Sequence, residues 1–292
     1  MSERSHTYRT RAVILRRRNY ADADRILTVY TPAFGKRYYI AKGARKTASR
    51  KAGHLELFNH ANLLVAQART WDIITESVTV ESYMRLRADL DCISQAAYIC
   101  ELVDAFGGED DENRPLWDLL LFSLREIDAQ AQIGALLLRW FELRLLALMG
   151  FQLQLFGCLH CGEGLQAVKN YLHLQAGGVY CPGCGQTLKG AEPIAPHVLK
   201  ILRHLTRVEW PQVRNVKLRQ TTAQAVEDVL QRYLVTVLER RLKSAGFIRR
   251  LRLAPLGGHA PQQNGGPFPA GFDVDEQPHR PGPDGQSADE TD

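Results

Sequence analysis

The stretch Cys158–Gly185 reads CLHCGEGLQAVKNYLHLQAGGVYCPGCG: two Cys-x-x-Cys pairs with 19 residues between them. It interrupts a region otherwise written as helices, so everything after it must fold back around it. The spacing fits the pattern that reads as a tetrahedral zinc site, with two thiolates on each tight turn. Gly162 and Gly164 follow the first pair and Gly183 and Gly185 accompany the second, which suits such turns. A pair of disulfides or a redox dithiol are the competing uses. Thiols of a cytoplasmic chain stay reduced, which favours the metal. The expectation is one Zn2+ on Cys158, Cys161, Cys181 and Cys184.

Working outward, Ile133–Met149 is apolar on most sides, as expected for the central helix of a bundle, and Gly150 is its terminator. Arg139, Glu142 and Arg144 break the run Leu136–Phe151, so it is not expected to span a membrane. Ile93–Phe106 carries apolar residues at helical spacing, and Pro115 opens a further helix over Leu116–Ile127. Beyond the cysteines, Pro196 opens a helix through Leu205, and Thr221–Leu242 forms a long one ended by Gly246. Cys92 and Cys100 sit eight apart on a predicted helix and read as small buried hydrophobes.

The first 83 residues follow a different rule. Thr10–Leu15, Ile26–Tyr30, Arg37–Ala41, Leu57–Val65 and Trp71–Val80 are rich in β-branched and aromatic residues, separated by turn chemistry at Asn19–Asp24 and Pro32–Gly35. Five strands in about 80 residues with no long helix between them predict a small barrel, for which the OB-fold is the natural candidate and an SH3-like barrel the alternative. The fold class is therefore α+β: a five-stranded N-terminal barrel (1–83), a helical part (84–156 and 189–253) and a four-cysteine insertion (157–188). Residues 254–292 hold seven Gly and seven Pro and few large apolar side chains, which predicts a disordered acidic tail.

Charge is unevenly spread. Met1–Lys51 has 14 Lys/Arg against 3 Asp/Glu, a net of +11, whereas Ala254–Asp292 has a net of −6 and the middle balances. A basic head points to a polyanion. Its densest part is Lys42–Gly53, KGARKTASRKAG, where Lys42, Arg45, Lys46, Arg50 and Lys51 lie among small residues with no acid between them. Lys36 and Arg37 precede it by one strand. Such a loop can follow a phosphate backbone, and Tyr30, Phe34, Tyr38 and Tyr39 are candidate base-stacking residues beside it, although single aromatics more often serve the core. Tyr38 and Tyr39 must face opposite ways if both lie in a strand.

Catalytic patterns are missing. A catalytic zinc keeps an open position, and here four cysteines fill the shell. His160 and His173 are expected in an exposed turn or strand rather than on the metal. There is no HExxH, and Gly35-Lys36 lacks the rest of a phosphate-binding loop. The acidic run Glu109–Glu112 reads as a solvated loop. The expectation is a non-enzymatic binder. Two rivals belong to other classes: a zinc-dependent nuclease or hydrolase, and an RNA- or ribosome-associated zinc-ribbon module.

Four stretches carry a family resemblance: Ala21–Gly35 (ADADRILTVYTPAFG), Ala41–Arg50 (AKGARKTASR), Leu55–Phe58 (LELF) and Arg139–Cys161 (RWFELRLLALMGFQLQLFGCLHC). Together they resemble the RecO family of bacterial recombination mediators, in the family's order from about Tyr8 to about Leu242. The resemblance implies an N-terminal OB-fold, a helical domain and, in some members, a four-cysteine zinc site. It also implies binding of single- and double-stranded DNA, annealing of complementary strands, and partnership with RecR and with the acidic tail of single-strand DNA-binding protein (SSB) in loading RecA. Lys42, Arg45, Lys46 and Arg50 match the family's basic loop; Lys36, Arg37 and Lys51 are added on charge and proximity. Members without the cysteines argue for a structural zinc. The expected location is the cytoplasm, in association with the nucleoid. The acidic tail departs from the family by lying outside its core. No short motif marks a pocket for the SSB tail.

Overall fold

Strands form where β-branched and aromatic residues alternate with polar ones, and they close on themselves. In a computed structural model that describes residues 6–129 and 135–238, β1 (Thr7–Tyr20), β2 (Asp24–Thr31), β3 (Gly35–Ala41), β4 (His60–Ala66) and β5 (Asp72–Glu81) build a closed barrel in the order β1-β2-β3-β5-β4. All pairings are antiparallel except β3 with β5, which meet in parallel at Tyr39↔Asp72 and Ile40↔Ile73. Closure leaves little free edge. Ala12, Ile14, Leu27, Val29, Tyr39, Leu63, Val65 and Ile74 fill the interior. Val13, Leu15 and Tyr30 point outward into a second core shared with the helices.

The LELF motif joins the two cores. A short 3-10 turn, Ala52–Leu55, sets Leu55 in the barrel interior, while Phe58, held at φ 69°, enters the helical core. Its N–H donates to Ile14 O at 2.9 Å, next to the bulge that bends β1. Leu57–Asn59, expected as strand, are taken up by this crossing instead. Glu56 meanwhile pairs with Arg17 and Arg25.

The helices follow as α1 (Met84–Ala88), α2 (Leu90–Phe106), α3 (Arg114–Ala129) and α4 (Ala135–Leu148). Asp89 caps α2 by accepting the Cys92 N–H at 2.9 Å, and Asn113 caps α3 through the Leu116 N–H at 3.0 Å. Then come β6 (Asn170–His173), β7 (Gly178–Tyr180), α5 (Pro182–Gly185), β8 (Glu192–Ile194), α6 (Pro196–Arg207), α7 (Trp210–Val213) and α8 (Gln220–Leu238). The small sheet has the order β7-β6-β8, so β8, ending at Ile194, pairs with the cysteine-bearing excursion.

Because α4 is surrounded by α2, α3, α6, α7 and α8, even two of its three charges are buried: Arg139 is 3 % exposed and Glu142 is fully buried. They pair with each other, Tyr98 Oη donates to Glu142 at 2.6 Å, and Glu227 lies 3.3 Å from Arg139. Burial pushes the Glu142 carboxyl up from its ordinary value, while Arg139 and Tyr98 pull it back. Among the described residues no helix is long and apolar enough to cross a membrane. Residues 254–292, read from composition as a tail, lie outside the described residues.

Candidate nucleic-acid interface and metal centre

Past Ala41 the chain cannot continue as strand. Gly43 takes a left-handed φ of 67°, and the chain then folds through successive turns in which Lys46 N–H donates to Gly43 O and Ser49 N–H to Lys46 O. The loop is held from across the barrel end by the β1–β2 hairpin. Asp24 Oδ1 accepts the Gly43 N–H at 2.7 Å, and Ala23 O accepts the Arg45 N–H at 2.9 Å. Ala44 is buried in the barrel core and pins the middle. Lys42, Arg45, Lys46 and Arg50 are all exposed. Arg45 reaches the carbonyls of Ala21 and Asp22 at 3.4 Å, and among the described residues no ion pair engages the other three.

The three cations added on charge sit differently. Lys36 Nζ donates to Asp104 O at 2.7 Å and lies 3.5 Å from its carboxylate, which Arg16 also pairs. Arg37 pairs with Asp72 and Asp110. Lys51 donates to Ile74 O at 2.9 Å, and burial pulls its ammonium below the usual lysine value. The loop read as merely solvated, Glu109–Glu112, is therefore a partner of the barrel: Gly108 O accepts the Lys36 N–H at 2.9 Å and Glu109 bridges to Gly35 and Lys36. Gly35 is required there, since a Cβ would fall 2.3 Å from Asp111 O.

Of the four candidate stacking aromatics, Tyr30 and Tyr39 are fully buried and unable to meet a base. Tyr30 faces Gly107 and α2, while Tyr39 sits in the barrel interior, its hydroxyl 3.1 Å from that of Tyr8. Phe34 and Tyr38 are half-buried. The Tyr38 hydroxyl is pushed up to about 12 by burial, with Asp104 and Glu109 adding to the shift. Tyr38 packs edge-on against Trp71 with ring centroids 6.3 Å apart. Nothing in the sequence sets Trp71 apart from other strand residues, because only the β3–β5 register brings it beside Tyr38.

The four cysteines converge. Their Sγ atoms all lie within 4.8 Å of one another, and Cys161 and Cys181 are 3.9 Å apart. Four thiolates about 2.3 Å from one tetrahedral ion would stand about 3.8 Å apart, so the set can hold a metal ion. Burial opposes ionisation of Cys158, yet backbone N–H groups of Cys161, Cys181 and His160 outweigh it and bring the thiol down to about 6. The hydrogen bond with Cys181, with desolvation and the thiols of Cys161 and Cys158 adding to it, pushes Cys184 up to about 12. Gly162 is needed for its φ of 76° and Gly185 for space, since a Cβ would lie 2.6 Å from Tyr171; Gly164 and Gly183 have open space around them. His160 is in an exposed turn and His173 in β6, neither among the converging ligands. Cys92 and Cys100 are buried, and burial pushes both thiols up, Cys92 to about 11.

Two family models divide the chain between them: the recombination protein O N-terminal model matches residues 1–83 and the C-terminal model residues 87–246. The chain belongs to the RecO family. Curated RecO relatives match over most of their own length as well as most of this chain. The DNA repair protein RecO of Roseiflexus sp. (strain RS-1) is 38% identical over 249 residues, covering 85% of this chain and 87% of the relative. That of Dehalococcoides mccartyi (strain ATCC BAA-2266 / KCTC 15142 / 195) is 34% identical over 251 residues, 86% and 98%. That of Symbiobacterium thermophilum is 34% identical over 251 residues, 85% and 98%. The chain is thus a RecO-family DNA repair protein with a cysteine cluster that could hold a metal.

Proposed function

We propose that the barrel is an OB-fold that holds DNA by its backbone, and that the protein is a non-enzymatic recombination mediator. The observation that carries this reading is the exposed set Lys42, Arg45, Lys46 and Arg50 on a loop locked to the β1–β2 hairpin. Such a loop neutralises phosphates without reading sequence, so it accepts single- and double-stranded DNA alike and leaves bases free to find a complement. Annealing then needs neither nucleotide hydrolysis nor metal chemistry. The helical part offers surfaces to RecR and to the acidic tail of SSB, and with RecR the protein promotes RecA loading on SSB-coated DNA. The working site is the cytoplasm, at the nucleoid.

Lys36, Arg37 and Lys51 contribute to the field around the loop, but their contacts with Asp104, Asp110 and the Ile74 carbonyl fit them better to shaping the barrel. The family models' division at 83 and 87 supports separate barrel and helical domains.

For the cysteines we favour one structural Zn2+, held by Cys158, Cys161, Cys181 and Cys184. Thiolate sets select zinc among the common divalent ions, and Cys158, Leu165, Leu172, Val179 and Ile194 share one core with the helices, as a fastening requires.

The decisive experiment is annealing of complementary strands coated with SSB, with and without RecR. Annealing that RecR alters, with substrate strands left intact, is the expected result. Strand cleavage, or no annealing on bare or coated DNA, would overturn the reading.

A further inference from the structure

A second feature shares β3 with the basic loop. Side chains alternate along a strand, so Lys36, Tyr38 and Ile40 lie on the outer face, opposite to the buried Tyr39. The β3–β5 register sets Ile73 beside Ile40, and Trp71 packs edge-on to Tyr38. Tyr38, Ile40, Trp71 and Ile73 are all half-buried, giving a small aromatic and aliphatic surface open to solvent. Of the chain's four tryptophans, Trp117, Trp140 and Trp210 are buried at 0%, 5% and 3% exposure, and only Trp71 is half-exposed.

The two ends of this surface differ in charge. Towards Lys36 it is closed by Asp104 and Glu109, which take up Arg16, Lys36 and the Tyr38 hydroxyl. Towards Ala41 it runs into Lys42 and the exposed cations of the loop. Four residues along a strand separate Tyr38 from Lys42 by about 13 Å. A polyanion entering from the acidic end is repelled, and one anchored on the loop is led over the rings.

From this juxtaposition we propose that Trp71 and Tyr38 form a stacking platform for unpaired bases of a single strand whose phosphates lie on the Lys42–Arg50 loop. The inference rests on the DNA-binding reading of that loop and deepens it: the loop accepts any phosphate backbone, and the platform selects the single-stranded form. A duplex keeps its base faces inside the stack and has nothing to give the rings, whereas an extended strand presents them. The paired Ile40 and Ile73 lie between platform and loop and make that path apolar.

The test uses the full-length chain, an oligothymidylate, a hairpin duplex of equal phosphate number and an oligouridylate. Because the other three tryptophans are buried, saturable quenching of intrinsic tryptophan fluorescence by the oligothymidylate is the expected signal, with little change on duplex. Trp71→Ala should weaken single-strand binding about tenfold, as for the loss of one stacked base, with the salt dependence unchanged. Duplex binding should stay within about twofold, and Trp71→Phe should restore most of the single-strand affinity. Unchanged single-strand affinity in Trp71→Ala, equal losses on duplex, or a Trp71→Phe variant as weak as Trp71→Ala would overturn the platform. Preferential quenching by oligouridylate would move the ligand from DNA to RNA and overturn it for DNA. A loop variant lacking Lys42, Arg45 and Lys46 separates the two readings: if its salt dependence is unchanged while Trp71→Ala loses single-strand binding, the loop reading fails, and with it the placing of the phosphates, while stacking on Trp71 stands.

Discussion

Asp24 accepts the backbone N–H of Gly43 at 2.7 Å, tying the β1–β2 hairpin to the first residue after Lys42. With the Arg45 N–H held by Ala23 O, this makes two sequence motifs, ADAD and KGAR, one structural unit. Asp24→Ala removes a charge-assisted bond worth about 1.5–3 kcal/mol. On charge alone the variant should bind DNA more tightly. Loss of the loop's shape should prevail, giving weaker binding and faster amide exchange over 43–49 by mass spectrometry.

The exposed and the engaged cations should behave differently. Replacing Lys42, Arg45 and Lys46 with Ala should flatten the salt dependence of DNA affinity by roughly 0.7–0.9 per lost phosphate contact, across sequences. An unchanged slope in a filter-binding or anisotropy titration would show that the loop does not touch DNA. Lys36→Ala should instead lower stability by about 1–3 kcal/mol, because Asp104 loses a donor while largely buried, and should move the slope little.

The cysteine cluster predicts a fastening role. Cys158→Ser with Cys161→Ser should lose the bound metal and lower the melting temperature, without abolishing loop-dependent DNA binding at temperatures where the protein stays folded. The packing of Cys158 and Leu165 in the helical core is the reason to expect a stability effect rather than a catalytic one. Wild-type stability in a metal-free variant would remove the argument.

The charges inside α4 are expected to matter more than any surface pair. Glu142→Ala leaves Arg139 buried with only Glu227 as carboxylate partner, and should cost about 3–5 kcal/mol in denaturant titrations.

His60 adds a pH dependence. It is 2 % exposed, 5.4 Å from the Trp117 ring and 3.4 Å from Glu81. Burial lowers its pKa below the ordinary 6.5 despite the help of Glu81. The unfolded chain then binds more protons than the native one between the two values. This group's contribution is therefore full above about pH 6.5, is lost as pH falls below it, and levels off beneath the folded pKa. His60→Gln should reduce the loss of stability between pH 7 and pH 5, read by thermal unfolding at each pH.

Much of the molecule was legible because its signals are local. Periodicity gives the strands and helices, since each buries one face of a short segment, and the Cys-x-x-Cys spacing gives the converging cysteines, since each pair occupies one turn. The charge density of Lys42–Lys51 likewise marks the loop without any knowledge of the fold. What chain order cannot supply is which distant group answers a charge or a ring. Lys36 and Arg37 look as free in sequence as Lys42, yet the last turn of α2 and the α2–α3 loop, some 70 residues on, bring Asp104 and Asp110 to them. Tyr38 and Tyr39 look alike until closure of the barrel buries one and sets the other against Trp71. Sequence alone determined the α+β class, the four cysteines that converge and the basic loop. Only the tertiary structure decided which cations remain exposed and which aromatics reach solvent, because long-range register and ion pairing, not local propensity, fix those energies.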